Sequence, residues 1–208
     1  MSDKLDRRQI RTKQLLYEAL MSLIEEKGAD TVTVTDVANR ANVNRGTFYL
    51  HYRDVPDMLQ QLKDEVFATV EACVMKFDIM EARTYLDKDE PYPQSIKIFE
   101  ELARHADFLR IMFGPKGDMS LAIQFRTLLA SHIYEKIKIL PQHKVVMPPE
   151  YVVAYMTSAN FGIFMHWIES RLSQTPTQMA KMMIRIMNYG PLVSFGLRDA
   201  PSGSINDL

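Results

Sequence analysis

The chain has 208 residues, 25% of them charged and 47% hydrophobic, which is the balance of a globular protein able to bury a core and excludes a disordered one. Its formal net charge of −1 excludes a protein that coats nucleic acid by bulk charge. The single cysteine, Cys73, excludes an intrachain disulfide framework and a cysteine-rich zinc site; it is expected to be a small buried side chain in a reducing compartment.

The opening stretch MSDKLDRRQIRTK has no apolar run of the kind a secretory signal needs, so a cytoplasmic location is expected. From Arg7 to Lys27, Leu16, Leu20, Leu23 and Ile24 recur at three- and four-residue steps and Gly28 supplies a stop, which predicts an amphipathic first helix. Arg7, Arg8, Arg11 and Lys13 crowd the start of this helix, where its dipole disfavours cations; phosphate contact is one reason for such a cluster and chance is another.

Thr33 with Asp36 three residues later resembles a capping box, and Val34, Val37, Ala38 and Ala41 form an apolar stripe, predicting a short second helix over 34–41. Asn42 suits the left-handed conformation that ends it, Val43 can plug the core, and Asn44 is an N-cap for a third helix over 45–52. Two short helices joined by about three residues make a helix-turn-helix. The third helix reads RGTFYLHY, with aromatic and hydroxyl groups where a solvated surface helix prefers Glu, Lys and Gln. It is built to touch something.

Asp54 and Pro56 open a fourth helix, whose Met58, Leu59, Leu62, Val66, Phe67 and Val70 continue without a break toward Met80. After the DKDEPYP turn, helices are predicted over 94–113, 118–140, 149–172 and 176–197, separated by Gly114-Pro115, Pro141 and Pro148-Pro149; Thr175 and Gln178 open the last. The uncharged run Tyr151 to Ile168 is interrupted by Thr157, Ser158, Asn160 and His166 and is read as a helix buried in protein on more than one side, not a membrane span. No alternating strand appears. The expected fold is all-α, with a three-helix N-terminal unit containing the helix-turn-helix over 1–54 and a larger helical bundle over 55–208.

Residues 10–59 resemble the DNA-binding domain of the TetR/AcrR family of bacterial transcription regulators. The resemblance rests on the helix ending at Gly28 and on TVTVTDVANRANVNRGTFYLHY, with Thr33, Asp36, Val37, Ala38, Ala41, Val43, Gly46, Thr47, Phe48, Tyr49 and Tyr52 in the family's register. HADFLRIMFGPKGD and the later FMHWIESRL are similar to a C-terminal region common in regulators from Gram-positive bacteria. A recognition helix enters the major groove by its N-terminal part, which places Arg45 to read a guanine edge or neutralise phosphate. Asn44 stands at its start. Gly46 lets backbone approach closely and Thr47 can bond a phosphate or touch a thymine methyl, while Tyr49 and His51 resemble the family's phosphate-contacting pair. Thr33 and Thr35 can offer hydroxyl and backbone N–H to a phosphate. Phe48 and Tyr52 belong to the core. The family's usual lysine at the start of the fourth helix is Val55 here, which Arg53 could offset.

Fourteen methionines and many aromatics could line an adaptable apolar pocket, with Phe108, Phe125, His132, Asn160, Phe164 and Trp167 as ligand-binding candidates. The five histidines, at 51, 105, 132, 143 and 166, show no paired metal spacing, and no Gly-rich phosphate loop or nucleophile elbow is present, so no enzyme and no cofactor is expected. What the resemblance implies is a homodimeric repressor, released from a palindromic operator by a small apolar or amphipathic effector. Regulation by a protein partner is the alternative, and a metal- or cofactor-binding helical bundle the more distant one.

Overall fold

A computed structural model of the chain describes residues 2–86, 88–138, 147–194 and 196–199; His143 and Pro141 of the sequence reading lie outside them. All regular structure among the described residues is helical: α1 (Ser2–Lys27), α2 (Val34–Arg40), α3 (Arg45–Tyr49), α4 (Val55–Val74), α5 (Ile79–Leu86), α6 (Pro93–Arg104), α7 (Ala106–Met112), α8 (Ser120–Lys138), α9 (Pro149–Glu169) and α10 (Pro176–Ser194), with a 3₁₀ turn at Ala29–Thr31. None of these helices is long and apolar enough to cross a membrane.

Local chemistry sets most boundaries. Gly28, at φ 92°, ends α1, and Asn42, at φ 52°, turns the chain after α2. Thr33 and Asp36 form a reciprocal capping box at α2, and the Asn44 side chain caps α3. Thr175 and Gln178 cap α10 in the same reciprocal way, at 2.8 and 3.2 Å.

Several lengths differ from the sequence reading. The fourth helix does not run to Met80: it stops at Val74, and Asp78 Oδ1 accepts from the N–H groups of Met80 and Glu81 to start α5. The apolar period passes through this break because both helices present the same kind of face. The helix expected over 94–113 is two, broken at His105, whose φ of −106° and ψ of 13° leave the helical region. α1 begins at Ser2, so the Arg7–Lys13 cluster lies beyond the first turn, where the dipole has faded and no longer disfavours it. Cys73 is half-buried instead of buried.

The contacts divide the chain into two compact units, residues 1–68 with 107–125 and residues 69–106 with 126–208. The sequence reading puts a boundary after Asp54; the contacts group the first part of α4 and α7 from Asp107 onward with the helix-turn-helix. Leu16, Leu20 and Ile24 of α1, Val37 of α2, Phe48 of α3, Val55 and Met58 of α4 and Leu109 and Met112 of α7 are all buried in this first unit. Each such side chain contributes roughly 2 kcal/mol of transfer free energy.

Polar ties fix residues 107–125 to the same unit. Lys63, 7% exposed, pairs with Asp118 at 2.6 Å, and Lys116 Nζ donates to the carbonyls of Glu25 and Glu26 at 3.2 and 2.7 Å, closing the C-terminal end of α1. Arg110 pairs with Glu25 at 2.8 Å, and the Ala29 N–H donates to the Lys116 carbonyl at 3.0 Å. Burial works to raise the Asp118 carboxyl, but its hydrogen bonds from Lys63 and Ser120 hold it below the usual range.

The second unit holds α5, α6, α9 and α10. Trp167 is buried against the edge of Phe99, with ring centroids 5.4 Å apart, and its indole N–H donates to the Gln174 carbonyl at 2.8 Å. Ala82, Tyr92 and Ile184 form a smaller cluster with Phe77 and Tyr85. In this single chain α9 is buried along one side, at Val153, Thr157, Trp167 and Ile168, and not on the several sides that its composition suggests. Tyr151, Tyr155, Gly162 and His166 are exposed.

Candidate nucleic-acid interface

The two short helices use their polar groups in opposite ways. In α2 the charged groups, Asp36 and Arg40, are tied down. The Thr33 hydroxyl donates to Asp36 Oδ2 at 2.6 Å, the Thr33 N–H donates to the same oxygen at 2.9 Å, and Lys27 Nζ pairs with it at 2.6 Å. These bonds, from Lys27 first and then Thr33, hold the Asp36 carboxyl far below the usual carboxylate range. At the other end of α2, Arg40 reaches across to Ser22 Oγ at 2.7 Å and Glu26 at 2.6 Å on α1.

Thr33, expected to meet phosphate, therefore has its hydroxyl and its N–H engaged within the cap. Thr35 is exposed and takes no part in it. None of the anchoring partners, Lys27, Ser22 and Glu26, was legible as such in the sequence, because they act across distances of 9 to 18 residues.

α3 directs its polar groups outward. Phe48 is fully buried and Tyr52 is 6% exposed, their rings 5.7 Å apart, so these two fix which side of the helix faces the core. At about 100° per residue, Gly46 and Leu50 then lie opposite the core, with Arg45 and Tyr49 on one flank and Thr47 and His51 on the other. Tyr49 is 51% exposed and Leu50 81%. The Arg45 guanidinium donates to the Tyr49 hydroxyl at 3.3 Å, holding that flank as a pair. Asn44 spends its side-chain oxygen on the Gly46 N–H at 2.9 Å.

Gly46 has no structural reason to be glycine. A Cβ there would meet Asn44 Oδ1 at 3.6 Å, an ordinary contact, and its φ is not left-handed. Glycine inside a helix costs about 0.5–1 kcal/mol relative to alanine, so its presence points to something that must approach the backbone from outside.

His51 is partly buried, and its imidazole is held below the ordinary histidine value, first by desolvation and second by the positive charge of Lys13. Lys13 of α1 is thus near enough to His51 for its charge to act on the imidazole. Within α1, Arg8, Arg11 and Lys13 are exposed. Arg8 and Arg11 are like charges at helical spacing, an arrangement that costs a few tenths of a kcal/mol.

Arg53 is exposed, and its guanidinium pairs with the mostly buried Asp57 carboxylate at 3.1 Å. Val55 is 4% exposed: it serves the core at the head of α4. Among the described residues no three His, Cys, Asp or Glu side chains gather as a metal ion would require.

The amino-terminal half of this geometry coincides with a known pattern. Residues 16–62 match the family model for bacterial regulatory proteins of the tetR family, and residues 89–189 match the model for a transcriptional regulator C-terminal region of the same family. The chain belongs to the TetR family. It is therefore a DNA-binding transcriptional regulator, with an all-helical fold of N-terminal helix-turn-helix and C-terminal helical region. An uncharacterized HTH-type transcriptional regulator of Bacillus subtilis, YxbF, is 33% identical over 60 residues, which are 28% of this chain and 16% of that protein. The chain thus spans less than a fifth of this curated relative.

Solved structures share the fold over most of their length. A TetR transcriptional regulator from Streptococcus agalactiae 2603V superposes with a TM-score of 0.55 at 21% identity, covering 89% of this chain and 98% of that one. The regulator FadR from Bacillus subtilis, in complex with stearoyl-CoA, gives 0.54 at 16% identity, covering 85% and 98%.

The six side chains expected around a ligand are distributed between the two units. Phe108 is buried and stacked on Tyr17, centroids 6.5 Å apart, and Phe125 lies against Phe67 at 5.4 Å and Phe113 at 6.3 Å; both belong to the first unit. His132, Asn160, Phe164 and Trp167 belong to the second, where His132 Nε2 lies 3.0 Å from the Phe77 carbonyl and Phe164 neighbours Phe161 at 6.5 Å.

Proposed function

We propose that the protein is a homodimeric repressor whose α3 reads a palindromic operator and whose second unit takes a small apolar or amphipathic effector that releases the DNA. The reading is carried by α3, a five-residue helix with a fold-unneeded Gly46 on its outward side and Arg45, Thr47, Tyr49 and His51 on its flanks. Flank groups of this kind meet phosphate and the outward line meets base edges. Asn44, Thr35 and Arg53 contribute at the rim, and the cations of α1 extend the positive surface past His51.

Dimerisation is supported by the exposed side of α9, where Tyr151 and Tyr155 are 64% and 58% exposed, and by Met182 and Met187 of α10 at 41% and 43%. A Cβ at Gly162 would meet nothing within 4 Å, so the helix there is open to a close neighbour. An amphipathic effector fits the methionine- and aromatic-rich second unit, with His132, Asn160, Phe164 and Trp167 as its contacts, and a relative of this fold binds such a molecule in stearoyl-CoA. A ligand that prefers the DNA-incompetent state by about 2–3 kcal/mol lowers operator affinity on the order of 30- to 150-fold, and DNA weakens the ligand by the same factor.

The test begins with selection of bound duplexes from a random-sequence pool. A palindrome with half-sites about one helical turn or a multiple apart is expected, and Gly162→Arg, monomeric by ultracentrifugation, should lose it. Recovery of a single asymmetric site bound by a monomer would overturn the dimer. Ligands that raise thermal stability yet leave operator affinity unchanged would remove the effector.

A further inference from the structure

We propose that Leu50 is a base-reading residue, which packs its side chain against the 5-methyl group of one thymine in each operator half-site; this rests on the reading of α3 as the recognition helix. Leu50 is 81% exposed, more than any other large apolar side chain among the described residues. It caps α3 with φ −71° and ψ −18°, so the helical path continues through it and its direction follows from the helix. That direction is opposite Phe48 and Tyr52, the two side chains that face the core.

Leu50 therefore shares the outward line with Gly46, one turn earlier, between the Arg45–Tyr49 flank and the Thr47–His51 flank. When a helix lies in the major groove its flanks face the two phosphate walls and its outward line faces the base edges. Gly46 removes the side chain that would hold the helix away, and Leu50 then stands at the floor of the groove. Arginine and tyrosine can bond phosphate; leucine can bond nothing there. Of the groups that base pairs present in the major groove, the thymine methyl is the apolar one, so it is the partner an isolated leucine can recognise. Isolated exposed leucines are common on protein surfaces, but one on a five-residue helix, on the line that a glycine keeps open, has a specific use.

The experiment uses the full chain and a duplex obtained by selection from a random pool. Thymines are replaced one at a time by deoxyuridine, which removes the methyl and leaves every hydrogen-bonding group in place. In the wild-type protein one position per half-site should weaken binding about fourfold, the value of one buried methyl. In Leu50→Ala the same replacement should have no effect, and thermal unfolding should match wild type because the side chain is exposed. A deoxyuridine scan that is flat in the wild type, or a loss that persists unchanged in Leu50→Ala, overturns the assignment. Arg45→Ala separates the two levels: if it weakens binding roughly 10- to 100-fold while the scan is flat, Leu50 alone is wrong. If neither Arg45→Ala nor Leu50→Ala alters affinity, α3 is not the recognition helix.

Discussion

α2 and α3 are both short and adjoin one another, yet α2 ties its charged groups to neighbours within the protein while α3 turns Arg45 and Tyr49 outward. Thr33, Asp36 and Arg40 are each bound to a neighbour in the first unit, whereas Thr47, Tyr49, Leu50 and His51 form an outward set in which the Arg45–Tyr49 contact is a long one at 3.3 Å. The contrast separates positioning from reading. A recognition surface needs side chains that exchange water for DNA at little internal loss, and the rigidity that makes this exchange selective must come from the helix next door.

The sharpest way to break this division is Asp36→Ala. It removes the capping box and the Lys27 pair together and should lower stability by about 2 kcal/mol, read by urea or thermal unfolding. Sequence preference among operators should be kept, because α3 itself is untouched. Altered preference without loss of stability would show that α2 reads DNA.

Gly46→Ala should move the two properties in opposite directions. Stability should rise by about 0.5–1 kcal/mol as the helix gains a better former, while operator affinity falls about tenfold because the added methyl stands in the approach of the backbone to the groove. If affinity and stability rose together, the close approach proposed for Gly46 would be absent.

The smallest effect concerns His51. Burial, and after it the charge of Lys13, hold its free-protein value below the ordinary histidine one; a phosphate neighbour would raise the value in the complex, and binding would then take up a proton. Operator affinity should therefore be flat at alkaline pH, rise as pH falls through the bound value and level off below the free one. In His51→Gln the pH dependence between 5.5 and 8 should vanish from isothermal binding curves. An unchanged profile would mean that His51 is structural.

Short-range chemistry was legible in the sequence and long-range chemistry was not. The caps at Thr33, Asn44 and Thr175, the left-handed Asn42 and the buried Phe48 and Tyr52 all follow from residues within four positions of one another. The break after Val74 had a signal, Asp78 followed by Glu81, but it was hidden because the apolar period runs straight through it. Nothing within 50 residues of Lys63 reveals its pairing with Asp118, 55 positions away. Leu50 was not legible for a different reason: only its 81% exposure shows that no other part of the described protein covers it.

The ties between residues 107–125 and the first unit carry a consequence for anyone exchanging sensor halves among such regulators. A chimera joined at residue 68 would strip Asp118 from the buried Lys63 ammonium and Lys116 from the open carbonyls of α1. The donor reading head would then enter its new host with a stranded charge and an uncapped helix, whatever the quality of the junction. Transplantation should succeed when the stretch from Asp107 to Phe125 travels with the head, making the portable piece discontinuous in the gene.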